Sequence, residues 1–169
     1  FREQSSQVAD LFRQHNIKKI LTHCPHCWNT FRNEYPDAAK RTVQHHTEFL
    51  AEQIAQGKLP AAQAARESVT FHDPCYLGRG NGVTEAPRTV LQQLSLPIVE
   101  MPRNREQSFC CGAGGGTMWV DLPGQRRVEH LRAEEAAATG TQTVVTGCPF
   151  CKVMLRTGLE ATSSRPGAV

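Results

Sequence analysis

Five of the seven cysteines in this 169-residue sequence fall in a pattern able to hold a metal or a metal cluster. Cys75 stands alone, Cys110 and Cys111 are neighbours, and Cys148 and Cys151 close a C-P-F-C turn; 34 residues separate the first from the pair and 36 separate the pair from the turn. The other two, Cys24 and Cys27, form a second CxxC within T-H-C-P-H-C. An all-cysteine zinc site needs four thiolates, commonly as two CxxC pairs, which Cys24/Cys27 and Cys148/Cys151 would supply. One tetrahedral ion seldom takes two adjacent thiolates, whereas a multi-iron cluster can, so the Cys110-Cys111 pair favours iron–sulfur over zinc. A CxxC at a strand-to-helix junction is also a dithiol redox signature, which leaves a third reading open.

The residues around the cysteines bear on the choice. Gly112, Gly114, Gly115 and Gly116 in C-C-G-A-G-G-G let the backbone turn sharply and bring N–H groups close to an anionic sulfur core, and hydrogen bonds to sulfur tune reduction potential. Gly112–Gly116 lacks the Lys-Ser/Thr of a phosphate loop and the spacing of a dinucleotide fingerprint, so a nucleotide is not expected there. Pro25 and Pro149 stand where a helix's first turn needs no N–H. His72-Asp73, just before Cys75, could orient the cysteine loop. His23, His26, His45 and His46 are candidates for metal ligation or proton relay, against the plain role of hydrogen-bonded histidines. Trp28 and Trp119 could shield a cluster or simply fill core.

Elements that could position these side chains are legible as an alternation of short apolar runs and amphipathic stretches. Lys18–Thr22, Thr42–His45, Ser68–Phe71, Pro97–Met101 and Thr143–Thr146 read as strands. Val8–Gln14, Glu48–Gln56, Ala86–Gln93, Arg126–Ala138 and Phe150–Glu160 read as helices, with stops at Gly57 and Gly140. The expected class is α/β with mainly parallel sheets and the cysteines at the C-terminal strand edge. Lys19–Cys27 repeats in Thr143–Cys151, each a strand running into T-x-C-P-x-C and then a helix, so duplicated Rossmann-like βα halves are expected. Residues 1–60 would be the later part of a first half, 61–160 a complete second half, and 161–169 a loose tail. On this reading Cys24 and Cys27 mark a possible second site in a separate pocket, its partner cysteines lying upstream of Phe1.

A formal charge of +3 with scattered basic residues fits a solvated surface and argues against nucleic acid. Arg103, Arg105, Arg126 and Arg127 could still steer an acidic partner protein. No apolar run reaches the ~18 residues of a membrane span, and no export signal opens the chain. The first residue is Phe1, in what reads as the middle of an amphipathic helix, so the sequence is expected to be part of a longer polypeptide. The expected location is cytoplasmic, with membrane association through regions absent from this chain.

D-P-C-Y-L-G-R (73–79), F-C-C-G-A-G-G-G (109–116) and T-G-C-P-F-C (146–151) together resemble the cysteine-rich CCG domain of heterodisulfide reductase B subunits and related iron–sulfur oxidoreductases. The resemblance runs from about Lys18 to Leu159. It implies a noncubane 4Fe-4S cluster, or in some members another metal, held by Cys75, Cys110, Cys111, Cys148 and Cys151. It also matches Cys24 and Cys27 to the closing CxxC of a first CCG motif. Within the family, H-C-P-H-C-W-N-T-F-R-N-E-Y-P (23–36), H-H-T-E (45–48) and residues 101–116 resemble the large membrane-bound oxidoreductases associated with electron-transfer flavoproteins. That resemblance implies a flavoprotein donor in fatty-acid β-oxidation and a membrane quinone reached through a missing membrane domain. The wider family implies, as the alternative, part of a heterodisulfide or thiol–disulfide reductase.

Overall fold

A computed structural model of the protein describes residues 1–37, 40–60, 67–120 and 126–162. The order along the chain is α1 (Arg2–Gln14), β1 (Lys19–Thr22), α2 (Pro25–Asn29), β2 (Thr42–His45), α3 (His46–Ala55), β3 (Val69–His72), α4 (Gly78–Asn81), α5 (Glu85–Gln93), α6 (Val128–Ala137), β4 (Thr143–Thr146) and α7 (Pro149–Ala161). The fold is α/β and its strands pair in parallel: β1 with β2, ending at Thr22 opposite His45, and β3 with β4, ending at His72 opposite Thr146.

Local chemistry accounts for most boundaries. Pro25 and Pro149 occupy the first turn of α2 and α7, with Cys24 and Cys148 as extended N-caps. A capping box opens α3: the His45 ring accepts from the Thr47 N–H, and Glu48 accepts from the His45 N–H at 2.9 Å. Beyond α2 the chain winds one π-helical turn, Thr30–Glu34, carrying Phe31 against Phe12 of α1. Gly57 and Gly140 take left-handed φ of 67° and 73° just past α3 and α6, where glycine stops a helix at least cost.

Three expectations need correction. Pro97–Met101 is no strand; only Ile98 bridges β3, opposite Val69, since Pro97 has no N–H to extend the ladder and Met101 turns away into the core. The segment from Ala161 is not wholly a tail, because Ala161 is the last residue of α7 and Thr162 its cap; 163–169 lie outside the described residues. Trp28 is core, wholly buried, whereas Trp119 is 74% exposed and shields little.

Two packing features place the site. Val69 is flanked by Ile98 on one side and β4 on the other, so β3 is central and the chain crosses over it between the two. Such a reversal opens a crevice beyond the strands' C-terminal ends. Behind β4, α6 and α7 cross at Gly158, where a Cβ would collide with the Glu129 carbonyl oxygen and come within 2.9 Å of Ala133 Cβ. Overpacking at such a crossing costs about 1–3 kcal/mol, rising with side-chain size. Gly158→Ala should therefore lower the thermal midpoint and Gly158→Val lower it further; equal midpoints for both and the parent would refute the close crossing.

Candidate functional site

The C-terminal ends of β1, β3 and β4 lead into Cys24, Cys75 and Cys148 within three residues of each strand. The chain between α5 and α6 brings Cys110 and Cys111 to the same edge. The sulfurs form a continuous run: Cys75 lies within hydrogen-bonding reach of Cys110, Cys110 of Cys111, Cys111 of Cys151, and Cys151 of Cys148. All seven cysteines are free thiols, with Cys111, Cys148 and Cys151 buried and Cys75 and Cys110 partly so.

Protons are distributed unevenly along this run. Hydrogen bonds from the Cys111 and Cys75 thiols, helped by the Gly112 and Gly114 backbone, hold Cys110 far below the usual thiol range. The Gly112 N–H lies 3.3 Å from its Sγ. Cys148 is drawn down to about 5 by Cys151 first and then, against burial, by His26 and by N–H groups of α7's first turn. Cys111 rises to about 11 and Cys75 rises further, chiefly because each donates to Cys110, while Cys151 is raised first by its bond to Cys111 and then by its bond to Cys148. A bound cation would displace the remaining protons and take all five as thiolates.

The scaffold behind the run is polar and buried. Asp73 accepts a two-pronged bond from Arg88 at 2.8 and 2.9 Å and the Arg105 N–H at 2.7 Å, while its carbonyl accepts from Ser108 Oγ at 2.7 Å. One carboxylate thus ties the exit of β3, and with it Cys75, to the loop that delivers Cys110. Gly112 is pressed between that loop and α6: its φ is 93°, and a Cβ would lie 2.9 Å from Glu129 Oε2. Gly115 and Gly116 also take left-handed φ, whereas a Cβ at Gly114 would meet open space. Burial first, and then the Arg132 charge, push His72 down to about 3.

Cys24 and Cys27 lie close beside the Cys148 turn. His26 stands between the two CPxC turns, its Nδ1 3.9 Å from Cys24 Sγ and its ring hydrogen-bonded to Cys148, which raises its pKa against the effect of burial. His45, at the end of β2, points Nε2 at the Gly147 carbonyl at 2.9 Å and the His23 carbonyl at 3.3 Å, clasping the residues ahead of both turns. The turns lie side by side because β2 ends between them. Beside them is a cavity of about 300 Å³ lined by His26, Tyr76, Met118, Trp119 and Phe150 with Gly114 and Gly115.

Sequence reading missed the buried arginines Arg88 and Arg132, which look like ordinary helix-surface residues in P-R-T-V and H-L-R-A. It also took Arg103, Arg105, Arg126 and Arg127 as free to steer a partner, yet each pairs with a local carboxylate: Glu135, Glu85 and Glu100, Glu134, and Glu129 respectively. Neutralised pairs steer weakly.

Fold and site define a parallel α/β protein with a thiol cluster at its strand edge. Residues 69–156 match the model of the cysteine-rich CCG domain, and the chain belongs to that family. It is 43% identical to the probable iron-sulfur-binding oxidoreductase FadF of Bacillus subtilis, over 95% of this chain and 23% of that protein. It is 36% identical to the EtfAB:quinone oxidoreductase of Syntrophomonas wolfei, over 94% of this chain and 23% of that protein. Identity to one component of the dihydromethanophenazine:CoB--CoM heterodisulfide reductase of Methanosarcina mazei is 35%, over 95% of this chain and 40% of that polypeptide. The chain thus spans less than half the length of these curated relatives. Another relative, in Chromohalobacter salexigens, is named a probable membrane-anchored ferredoxin; among the described residues no helix is long and apolar enough to cross a membrane.

Proposed function

We propose that Cys75, Cys110, Cys111, Cys148 and Cys151 hold one iron–sulfur cluster, of the 4Fe-4S class, and that the chain is the electron-transfer part of a larger oxidoreductase. The observation that carries this is the unbroken run of five sulfurs at the strand edge, two of them on adjacent residues, with backbone N–H groups directed at Cys110. Adjacent thiolates suit several irons better than one zinc ion, and the relatives' names favour iron over the zinc alternative. The cluster would supply one-electron chemistry. The chain's own part is to place the thiolates, give N–H groups to sulfur and bury the inner side of the site. From the relatives named above we take the donor to be a reduced electron-transfer flavoprotein and the final acceptor a quinone in the membrane, reached through parts of the protein outside this chain.

The test is elemental analysis of protein purified without oxygen. Iron and acid-labile sulfide should be near-equal, about four of each per chain. Stoichiometric zinc without sulfide would refute the proposal.

A second reading has one specific observation behind it. A further cavity of about 220 Å³, lined by Cys75, Tyr76, Arg79 and Gly80, puts a guanidinium beside the outermost thiol. An anionic thiol conjugate or disulfide would fit there, making the domain a thiol–disulfide reductase. Reduction of such a disulfide by the reduced protein, with no oxidation by quinone, would favour this reading.

A further inference from the structure

We infer that His72 is a fixed hydrogen-bond donor to the sulfur of this site, its Nε2–H directed at the Cys111 and Cys151 sulfurs and at the cluster they hold. The inference rests on the iron–sulfur reading and assigns His72 a positioning and potential-setting role, not that of a ligand.

The tautomer follows from the neighbours. Arg132 Nε lies 3.0 Å from His72 Nδ1. A guanidinium only donates, so Nδ1 must accept, and the proton of the neutral ring sits on Nε2. Arg132 is itself held, completely buried, with Nη1 bonded to the Arg103 carbonyl at 2.9 Å and to Glu135 at 2.5 Å. The lock on the ring is therefore anchored at its far end.

The remaining nitrogen has an unmet need. His72 is 1% exposed, and its Nε2 finds no hydrogen-bond partner among the described residues. Leaving a buried donor unpaired forfeits its hydration without return, a cost a protein seldom carries at an inert position. A His72 ring nitrogen, Cys111 Sγ and Cys151 Sγ all lie within 4.8 Å of one another. Since Nδ1 is taken by Arg132, Nε2 is the nitrogen free to serve these sulfurs.

The same geometry argues against ligation by His72. A metal on Nε2 would need a lone pair there, which moves the ring proton to Nδ1, where it would face the Arg132 donor. An N–H directed at sulfur instead stabilises the extra negative charge of the reduced cluster and raises its potential. Asp73 next in sequence does a different job, so the two neighbours divide the work: one holds the loop, the other faces the sulfur.

The experiment compares the parent with His72→Leu, which has no donor, and His72→Gln, whose amide can place an N–H near the position of Nε2. Each is purified without oxygen and read by iron and sulfide content and by an EPR-monitored redox titration. The expected result is similar iron and sulfide in all three. At a fixed potential the reduced-to-oxidised ratio should fall about tenfold in His72→Leu, a shift of about 59 mV to more negative values for one electron. His72→Gln should recover most of that shift. Long-range ¹H–¹⁵N spectra of the metal-free parent should show the Nε2–H tautomer, lost in Arg132→Met. An unchanged potential in His72→Leu with its cluster intact would overturn this inference and leave the iron–sulfur reading standing. Iron lost from both His72 variants while they stay folded would make His72 a ligand and likewise overturn it. A parent without iron and sulfide would overturn both.

Discussion

Replacing Cys148 with serine should empty the site of iron, whereas replacing Cys24 with serine should leave most of the iron in place. Cys148 sits at the N-cap of α7, between Cys151 and His26, with first-turn N–H groups helping to lower its pKa to about 5. A serine hydroxyl there keeps its proton and is a hard, poor ligand for iron bound with sulfide. Cys24 is linked to the sulfur run through the His26 ring and hydrogen-bonds to no member of it directly among the described contacts. The measurement is iron per chain in anaerobically prepared variants, with far-UV circular dichroism to establish that both are folded. Equal loss from the two would mean that the cluster's boundary includes the first CPxC turn.

Asp73→Ala should be the most damaging single change outside the cysteines. Asp73 and Arg88 are 1% and 3% exposed, and losing one partner of a buried pair typically costs about 3–5 kcal/mol. The lower end applies here, because Arg88 keeps Glu100 at 2.6 and 2.9 Å. A fall of roughly 10 °C in the thermal midpoint is expected. Iron uptake should also fall, since Cys75 and the loop before Cys110 lose their common anchor. Adding Arg88→Met to Asp73→Ala should recover part of the stability by removing a buried guanidinium that has lost its Asp73 bonds, with the double-mutant cycle giving the coupling. Additive losses would show that the pair does little.

The strands were the most legible part of the sequence. Thr42–His45 and Thr143–Thr146 stand where their β-branched runs put them, and β1 and β3 differ from expectation by one residue. Pro97–Met101 failed because apolar composition does not report hydrogen-bonding capacity: Pro97 has no N–H to add to the ladder. The cysteine spacing marked the right edge of the sheet for Cys24, Cys75 and Cys148, since each follows a strand whose direction the parallel pairing fixes. What supports the cysteines was illegible. Arg88 and Arg132 carry no motif, and only three-dimensional packing turns them inward. Nor could the repeat tell how near the two CPxC turns lie, because that depends on where β2 ends relative to Gly147.

The His45 clasp bears on where this molecule can be divided. Thr47 is bonded to Nδ1 at 2.8 Å, and the single bond-forming direction left to the ring is shared by carbonyls on either side, Gly147 and His23. Alongside it, α3 packs on α5, and the groove between them draws on Leu50 from one and Val90 from the other. The family-model match begins only at Val69, so a polypeptide cut to the matched stretch would keep all five of its cysteines yet leave the Gly147 carbonyl without its buried donor and uncover the side of α5 that packs on α3. The stretch matched by the family model is therefore smaller than the unit that presents Cys148, and it is the relatives aligned over 94–95% of the chain that share that whole unit.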